Sequence, residues 1–250
     1  MFSLTGRCAL VTGASRGLGH AMAIALAEAG AGVVCASSQR GGSDATLAAI
    51  RALGNDSWGV HAELSDRDAV RAMADEAIRL AGQIDILVNN AGTIRRHPAL
   101  EYSAESWDDV MRTNLDATFF LAQRLGREMV ARGAGKIINV GSLLSFSGGL
   151  NTAAYTASKH AVAGLTKVLA NEWGPRGVQV NGIAPGYFVT DNTQPLRDDS
   201  ARFSEIRSRI PAGRWGEPDD LKGAVVFLAS SASDYVNGHM LVVDGGWMGR

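Results

Sequence analysis

The stretch TGASRGLG, residues 12–19, lies between a short apolar run and a longer segment rich in Ala and Leu. Its three glycines, Gly13, Gly17 and Gly19, let the backbone turn tightly and approach a pyrophosphate closely. The helix that follows presents free N–H groups and the positive end of its dipole at the same point. The spacing is G-x-x-x-G-x-G rather than the commoner G-x-G-x-x-G. The stretch therefore predicts a dinucleotide-binding loop mainly through its place between a first strand and a first helix.

Outward from this loop, apolar β-branched runs alternate with helical segments along the chain. The alternation predicts an α/β fold with a doubly wound parallel sheet and helices on both faces. A long loop over residues 187–213 is a candidate lid or substrate loop. The predicted strands are 8–12, 32–37, 58–63, 84–89, 136–141, 178–184 and 240–244. The predicted helices are 18–29, 66–81 with Ser65 as N-cap, 105–132, 152–173 and 218–229.

Composition limits the class of protein. The chain has 250 residues, 46% of them hydrophobic, and a net charge of −1. No linker divides it, so we predict one domain over residues 1–250. The near-neutral charge gives no reason to expect nucleic acid or a membrane surface as a partner, and no metal is expected. With no signal-peptide pattern and no apolar run near ~18 residues, we expect a cytoplasmic protein in which Cys8 and Cys35 are buried, reduced thiols.

The end of the second predicted strand bears on the choice of cofactor. An acidic residue at this position would bond the adenosine ribose hydroxyls and repel a 2′-phosphate. This chain has Ser37 and Ser38 there, followed by Arg40, and Arg16 lies within the glycine loop. These residues favour NADP, and NAD stays open as the alternative. At the end of the third strand, the Glu63 carboxylate or the backbone of the next residue would border the adenine.

The stretch SLLSFSGGLNTAAYTASK, residues 142–159, combines three groups suited to carbonyl–alcohol redox chemistry. Tyr155 and Lys159 are four residues apart and share a helix face. A phenol titrates near ~10, and a neighbouring ammonium group lowers that pKa. Ser142, at a strand end, would orient the substrate oxygen by a hydrogen bond. We therefore expect an acid–base site here.

In order and spacing, TGASRGLG, NNAG (89–92), Asn114, Ser142, YTASK (155–159) and APG (184–186) resemble the classical short-chain dehydrogenases/reductases. The resemblance reaches VDGGW (243–247) and implies a Rossmann-type parallel sheet of about seven strands and a homotetramer. It implies that Tyr155 is the acid/base and that Lys159 lowers its pKa and holds the nicotinamide ribose. Ser142 would bind the substrate oxygen, and Asn114 would fix a water in a proton relay. Glu63 departs from the family, where an aspartate is usual. The expected cofactor-binding residues are Gly13, Ser15, Arg16, Gly17, Leu18, Gly19, Ser37, Ser38, Arg40, Glu63, Leu64, Asn90, Ala91, Gly92, Tyr155, Lys159, Pro185, Gly186, Phe188, Val189 and Thr190.

Four longer stretches resemble the family's sugar-acid dehydrogenases, of the 2-dehydro-3-deoxy-D-gluconate 5-dehydrogenase or 2-deoxy-D-gluconate 3-dehydrogenase kind. The chain resembles the gluconate 5-dehydrogenases almost as closely. The stretches are NNAGTIRR (89–96), KIINVGSLLSF (136–146), IAPGYFVTDNTQPLR (183–197) and IPAGRWGEPDDL (210–221). A guanidinium pairs bidentately with a carboxylate, so one of Arg95 and Arg96 would bind the substrate's acid group, and we favour Arg96. The expected substrate-binding residues are Arg96, Ser142, Leu144, Tyr155 and Gln194, and Arg197 could close over the site with Gln194.

Two alternatives stay open. A 3-oxoacyl-carrier-protein reductase shares the catalytic residues and the ASRG loop, and it would need a basic surface for its carrier protein. A non-catalytic dinucleotide sensor could use the same fold. Such a sensor could dispense with Asn114, Ser142, Tyr155 or Lys159, yet all four are present.

Overall fold

The structure, a computed structural model, describes residues 1–250 and contains a seven-stranded, wholly parallel sheet. The strands are β1 Cys8–Thr12, β2 Gly32–Ser37, β3 Ser57–His61, β4 Ile86–Asn89, β5 Gly135–Val140, β6 Val178–Pro185 and β7 Met240–Val243. Their order in the sheet is β3-β2-β1-β4-β5-β6-β7, which reverses direction between β1 and β4. Parallel sheets of this kind bind ligands beyond the carboxyl ends of the strands at that reversal.

Helices cover both faces of the sheet, because alternate residues of each strand point to opposite sides. The helices are α1 Gly17–Glu28, α2 Asp44–Ala52, α3 Arg67–Ala81, α4 Ala104–Met111, α5 Ala117–Arg132, α6 Ala153–Trp173, α7 Gln194–Asp198, α8 Ser200–Arg209 and α9 Lys222–Ala229. On one side of the sheet, Val11 packs with residues of α1, α2 and α9, and on the other, Leu10 packs with residues of α3, α5 and α6. This arrangement confirms the predicted doubly wound α/β fold.

The predicted helix over 105–132 is wrong in one respect. It divides into α4 and α5, joined by a π-helical turn at Arg112–Asp116. A π-turn opens the i→i+4 pattern for about one turn and is frequent at functional sites. Here it carries Asn114, one of the predicted catalytic residues.

The predicted loop over 187–213 is also wrong, since most of it is helical. It contains a 3₁₀ turn at Asp191–Thr193, then α7 and α8. Asp199 caps α8, accepting hydrogen bonds from the backbone N–H groups of Ala201 and Arg202. We call residues 187–213 the lid from here on.

Three smaller differences are local. The sequence did not predict α2, and the residue that caps α3 is Asp66 rather than Ser65. The Ser65 hydroxyl instead donates to the Glu63 carboxylate at 3.1 Å. The predicted helix over 218–229 begins as a 3₁₀ turn at Pro218–Leu221 and becomes α-helical in α9.

The two cysteines are free and buried, as predicted. Burial raises the pKa of both thiols to about 12. None of the helices combines the length and the apolar character needed to cross a bilayer.

Candidate active site

The glycine loop forms a cradle that larger side chains would fill. Gly13 and Gly17 have positive φ angles of 65° and 57°. A Cβ atom on Gly19 would lie 2.1 Å from the Gly13 carbonyl oxygen and 2.4 Å from the Asn90 amide nitrogen. The N-terminus of α1 follows directly, and no side chain caps its N–H groups. This cradle fits a pyrophosphate, which would take those free donors.

The segment after β4 holds the glycine loop in place. Asn90 Nδ2 donates to the Thr12 carbonyl oxygen at 2.8 Å. The Thr12 hydroxyl accepts from the backbone N–H groups of Asn90 and Ala91, each at 3.0 Å. The NNAG motif is thus joined to the end of β1 at the point where the sheet order reverses.

A single cleft of about 520 Å³ extends over the carboxyl edge of the sheet. That volume is within the range of about 300–1,000 Å³ typical of small-molecule sites. It brings the glycine loop together with the acid–base residues. The predicted residues that line it are Gly13, Ser15, Arg16, Gly17, Leu18, Gly19, Ser37, Ser38, Glu63, Leu64, Asn90, Ala91, Gly92, Ser142, Tyr155, Lys159, Pro185, Gly186, Phe188 and Thr190.

Six predicted residues lie outside that lining: Arg40, Val189, Asn114, Arg96, Leu144 and Gln194. Arg40 borders a neighbouring depression that shares Ser37 with the cleft. Gln194 is directed along the lid, where its Nε2 donates to the Asp198 carboxylate at 2.6 Å. Arg197 bonds to Gln194 and, at 3.2 Å, to the Thr190 carbonyl oxygen.

Lys159 is buried beside Tyr155 on the next turn of α6. Its Nζ donates to the Val140 carbonyl oxygen at 2.7 Å and lies 5.6 Å from the centre of the Tyr155 ring. Burial lowers the pKa of Lys159 to about 8. The ammonium is therefore held at the end of β5, close to the ring of Tyr155.

The pKa of Tyr155 differs from the prediction. Burial raises this pKa, while a hydrogen bond with Ser142 and the positive charge of Arg96 act in the lowering direction. The sequence predicted a lower pKa caused by Lys159. In the protein by itself, desolvation outweighs the stabilising groups, and the lowering charge belongs to Arg96.

Ser142 lies two residues after the end of β5, in an extended conformation, and is the N-cap of a short 3₁₀ turn. Its Oγ accepts from the Leu144 backbone N–H at 3.1 Å. This bond fixes the hydroxyl oxygen at the cleft wall close to Tyr155, as a group that orients a substrate oxygen requires.

Asn114 is buried in the π-turn with its side-chain amide fully bonded. Its Oδ1 accepts from the Thr93 backbone N–H at 2.8 Å. Its Nδ2 donates to the Thr93 carbonyl oxygen at 3.0 Å and to Ser158 Oγ at 3.1 Å. The amide therefore clamps the segment after β4 to α6, and both of its N–H groups already have partners.

The two adjacent arginines diverge. Arg95 lines the cleft, with Nη2 2.7 Å from Asp109 Oδ2 and Nη1 donating to Thr93 Oγ1 at 2.9 Å. Arg96 reaches the lid instead, where its Nη2 donates to the Asn192 carbonyl oxygen at 3.1 Å. The sequence favoured Arg96 as the cleft residue, but the residue that lines the cleft is Arg95.

Several lining residues were not predicted. They are Thr12, Ala36, Met73, Thr93, Asp109, Thr113, Val140, Gly141, Asp191, Asn192 and Thr193, while Arg95, the less favoured of the two arginine candidates, also lines the cleft. One pattern in the sequence could have predicted the helical turn in the lid. Thr190 and Thr193 form a reciprocal capping box, a pattern that marks the start of a helical turn.

A glycine cradle at the sheet reversal, opening onto a Tyr–Lys pair and a serine, defines a dinucleotide-binding oxidoreductase. The family model described as Enoyl-(Acyl carrier protein) reductase matches residues 13–248. The chain is 54% identical over 251 residues to 2-dehydro-3-deoxy-D-gluconate 5-dehydrogenase from Pseudoalteromonas atlantica, with 100% of this chain and 98% of that protein covered. It is 46% identical over 246 residues to gluconate 5-dehydrogenase from Gluconobacter oxydans, with 98% and 96% covered.

The fold also closely matches that of a solved structure. The gluconate 5-dehydrogenase from Burkholderia cenocepacia, in complex with NADP and tartrate, superposes with a TM-score of 0.96 at 44% identity. The match covers 100% of this chain and 98% of that one. The chain belongs to the short-chain dehydrogenase/reductase family.

Proposed function

We propose that this protein transfers a hydride between NADP and a secondary alcohol or carbonyl carbon of a sugar acid. The substrate is of the 2-dehydro-3-deoxy-D-gluconate or 2-deoxy-D-gluconate kind, with gluconate next. One observation carries the proposal: a single cleft joins the glycine loop to Ser142 and the Tyr155–Lys159 pair. The relatives at 54% and 46% identity are named for sugar acids, and the Burkholderia enzyme was crystallised with a hydroxylated dicarboxylate.

The residues present fit a nicotinamide dinucleotide, which supplies the hydride donor or acceptor when bound. The glycine loop and the start of α1 would hold the pyrophosphate. Lys159 would bond the nicotinamide ribose. Ser37 ends β2 and Ser38 follows it, so there is no carboxylate to repel a 2′-phosphate, and NADP is favoured while NAD also binds.

Tyr155 handles the proton. During reduction, its hydroxyl gives a proton to the substrate oxygen as the carbonyl becomes an alcohol. During oxidation, the phenolate takes that proton back. Burial raises the pKa of Tyr155 and keeps the phenol protonated in the protein by itself, while the hydrogen bond with Ser142 and the positive charge of Arg96 favour the phenolate. Ser142 holds the substrate oxygen within reach of Tyr155.

Arg96 is the stronger candidate for the substrate carboxylate, although Arg95 lines the cleft. The guanidinium of Arg95 already faces Asp109, whose negative charge would repel a second carboxylate. Arg96 has no acidic partner, and its field reaches Tyr155. A movement of its long side chain away from Asn192 would bring the free guanidinium to a substrate. We propose two further substrate contacts: Leu144, which lies beside Ser142, and Gln194, which lies in the lid.

The test compares D-gluconate with D-glucitol, which has the same carbon chain but a CH₂OH group in place of the carboxylate. We expect Arg96→Ala to raise the KM for D-gluconate by about 10- to 100-fold, because a bond to a charged group contributes about 1.5–3 kcal/mol. The KM values for NADP and for D-glucitol should not change. Arg95→Ala is the matched control. Unchanged D-gluconate KM values in both variants would refute the anion site.

Turnover assays with a wider set of carbonyl and alcohol compounds, 3-oxoacyl thioesters included, test the other two activities. Turnover confined to 3-oxoacyl thioesters would establish the carrier-protein reductase, and no turnover of any carbonyl or alcohol would establish the sensor. The relatives' sugar-acid names and a net charge of −1, which offers no excess positive charge for an acidic carrier, support the sugar-acid function.

We also propose that the chain is a single dinucleotide-binding domain that works in the cytoplasm as a homotetramer. Exposed apolar side chains, among them Val168 in α6, Val242 in β7 and Met248 at the C-terminus, support burial against further copies. Two reduced thiols suit a reducing compartment.

A further inference from the structure

The 3₁₀ turn of the lid, Asp191–Thr193, is tied down from two sides of the cleft. Arg16 of the glycine loop approaches Asp191, with Nε 2.6 Å from Oδ2. Arg96, after β4, bonds to the carbonyl oxygen of Asn192. All three residues of the turn line the cleft. This turn of the lid is thus held by two guanidinium groups, one from the glycine loop and one from the segment after β4.

Arg16 has a second possible partner. Both side chains of the Arg16–Asp191 pair are exposed, at 76% and 74%, so the guanidinium is open to ligands. The cleft that Arg16 lines also contains Ser37 and Ser38, where a ribose 2′-phosphate would meet no acidic residue. A phosphate carries more negative charge than one carboxylate and pairs bidentately with arginine.

We propose that Asp191 is a specificity-determining residue that competes with the 2′-phosphate of NADP for Arg16. The inference rests on the proposed dinucleotide-dependent function. NAD has no 2′-phosphate and leaves the Arg16–Asp191 pair intact. NADP takes Arg16 from Asp191, so the loss of that pair opposes the binding of NADP alone. Asp191 therefore narrows the difference in affinity between the two cofactors, and binding of NADP releases one of the two ties on the lid.

The test is calorimetric titration of NADP and NAD into the substrate-free protein. We expect Asp191→Asn to raise the ratio of the NADP to the NAD association constant by about two- to fivefold, which corresponds to an exposed ion pair. In an Arg16→Ala background, Asp191→Asn should leave that ratio unchanged, because the competition requires both side chains. Asp198→Asn removes the same charge from the lid without touching Arg16, and it should not alter the ratio.

The outcomes are distinct. An unchanged ratio in Asp191→Asn would overturn the inference. This includes an equal gain in affinity for both cofactors, which would indicate that Asp191 repels the phosphates of either dinucleotide. The same gain in the Arg16→Ala background would overturn it as well. Failure of the wild-type protein to bind either dinucleotide would instead overturn the proposed function.

Discussion

Arg95 and Arg96 are neighbours in the chain, yet they bond to different parts of the molecule. Arg95 pairs with Asp109 of α4, and Arg96 bonds to Asn192 of the lid. The sequence could predict a cation near the sheet edge, because the segment follows a buried strand. It could not predict the partners, because they are distant in sequence and depend on a π-turn and a lid turn that were not foreseen.

Lys159 gives a prediction at the residue scale. Its pKa is lowered from 10.5 to about 8 by burial, so between these values the unfolded chain binds more protons than the folded one. The free energy of unfolding then rises with pH in this window, by up to about 1.4 kcal/mol per pH unit. We expect wild type to gain stability relative to Lys159→Met from pH 8 to pH 10.

The measurement is denaturant unfolding of both proteins at several pH values. Other titrating groups, including the two cysteines with pKa values near 12, are common to both and cancel in the difference. A difference that stays constant with pH, or one that moves against wild type, would contradict the assignment.

At the scale of elements, hydrophobic alternation predicted all seven strands and the longer helices. It missed α2, a short helix that follows Gly41–Gly42, residues typical of loops. It joined α4 to α5 because the backbone stays helical through the π-turn and no glycine or proline between residues 105 and 117 marks a break. It left the lid as a loop because α7 and α8 have few buried side chains, so the apolar pattern there is weak.

The glycine loop gives a prediction at the element scale. Gly19→Ala places a Cβ atom 2.1 Å from the Gly13 carbonyl oxygen, so the loop must shift. We expect a loss of stability of about 1–3 kcal/mol and a loss of dinucleotide binding. Gly223→Ala in α9 is the matched control, because its Cβ would meet nothing within 4 Å. Unfolding and cofactor titration check both variants, and normal NADP affinity in Gly19→Ala would contradict the proposed cradle.

At the scale of the whole molecule, the cleft lies where the strand order reverses, and the start of the lid forms part of its wall. Two aromatic side chains of the lid pack against Trp215. The ring of Phe203 stacks on it with the ring centres 5.3 Å apart, and the ring of Tyr187 meets it edge-on with the ring centres 5.4 Å apart. The motifs predicted most of the cleft lining, because they sit at strand ends that the fold brings together. They could not predict the position of the lid, which depends on these contacts between distant segments.

Assembly gives a prediction at this scale. The exposed apolar groups on α6, on β7 and at the C-terminus would be covered in a homotetramer. We expect sedimentation equilibrium to give a mass of four chains at micromolar concentration. Val168→Glu should weaken the assembly, because it places a charge where an apolar contact is expected. A mass of one chain for the wild-type protein would contradict the tetramer.

The most direct test of the central claim is the turnover of Tyr155→Phe measured beside its cofactor affinity. The variant keeps the ring and loses only the hydroxyl that exchanges the proton with substrate. We predict that kcat for the sugar acid falls by about 100- to 10,000-fold while the dissociation constant for NADP, titrated without substrate, stays within about twofold of wild type. Near-normal turnover in Tyr155→Phe would contradict the account.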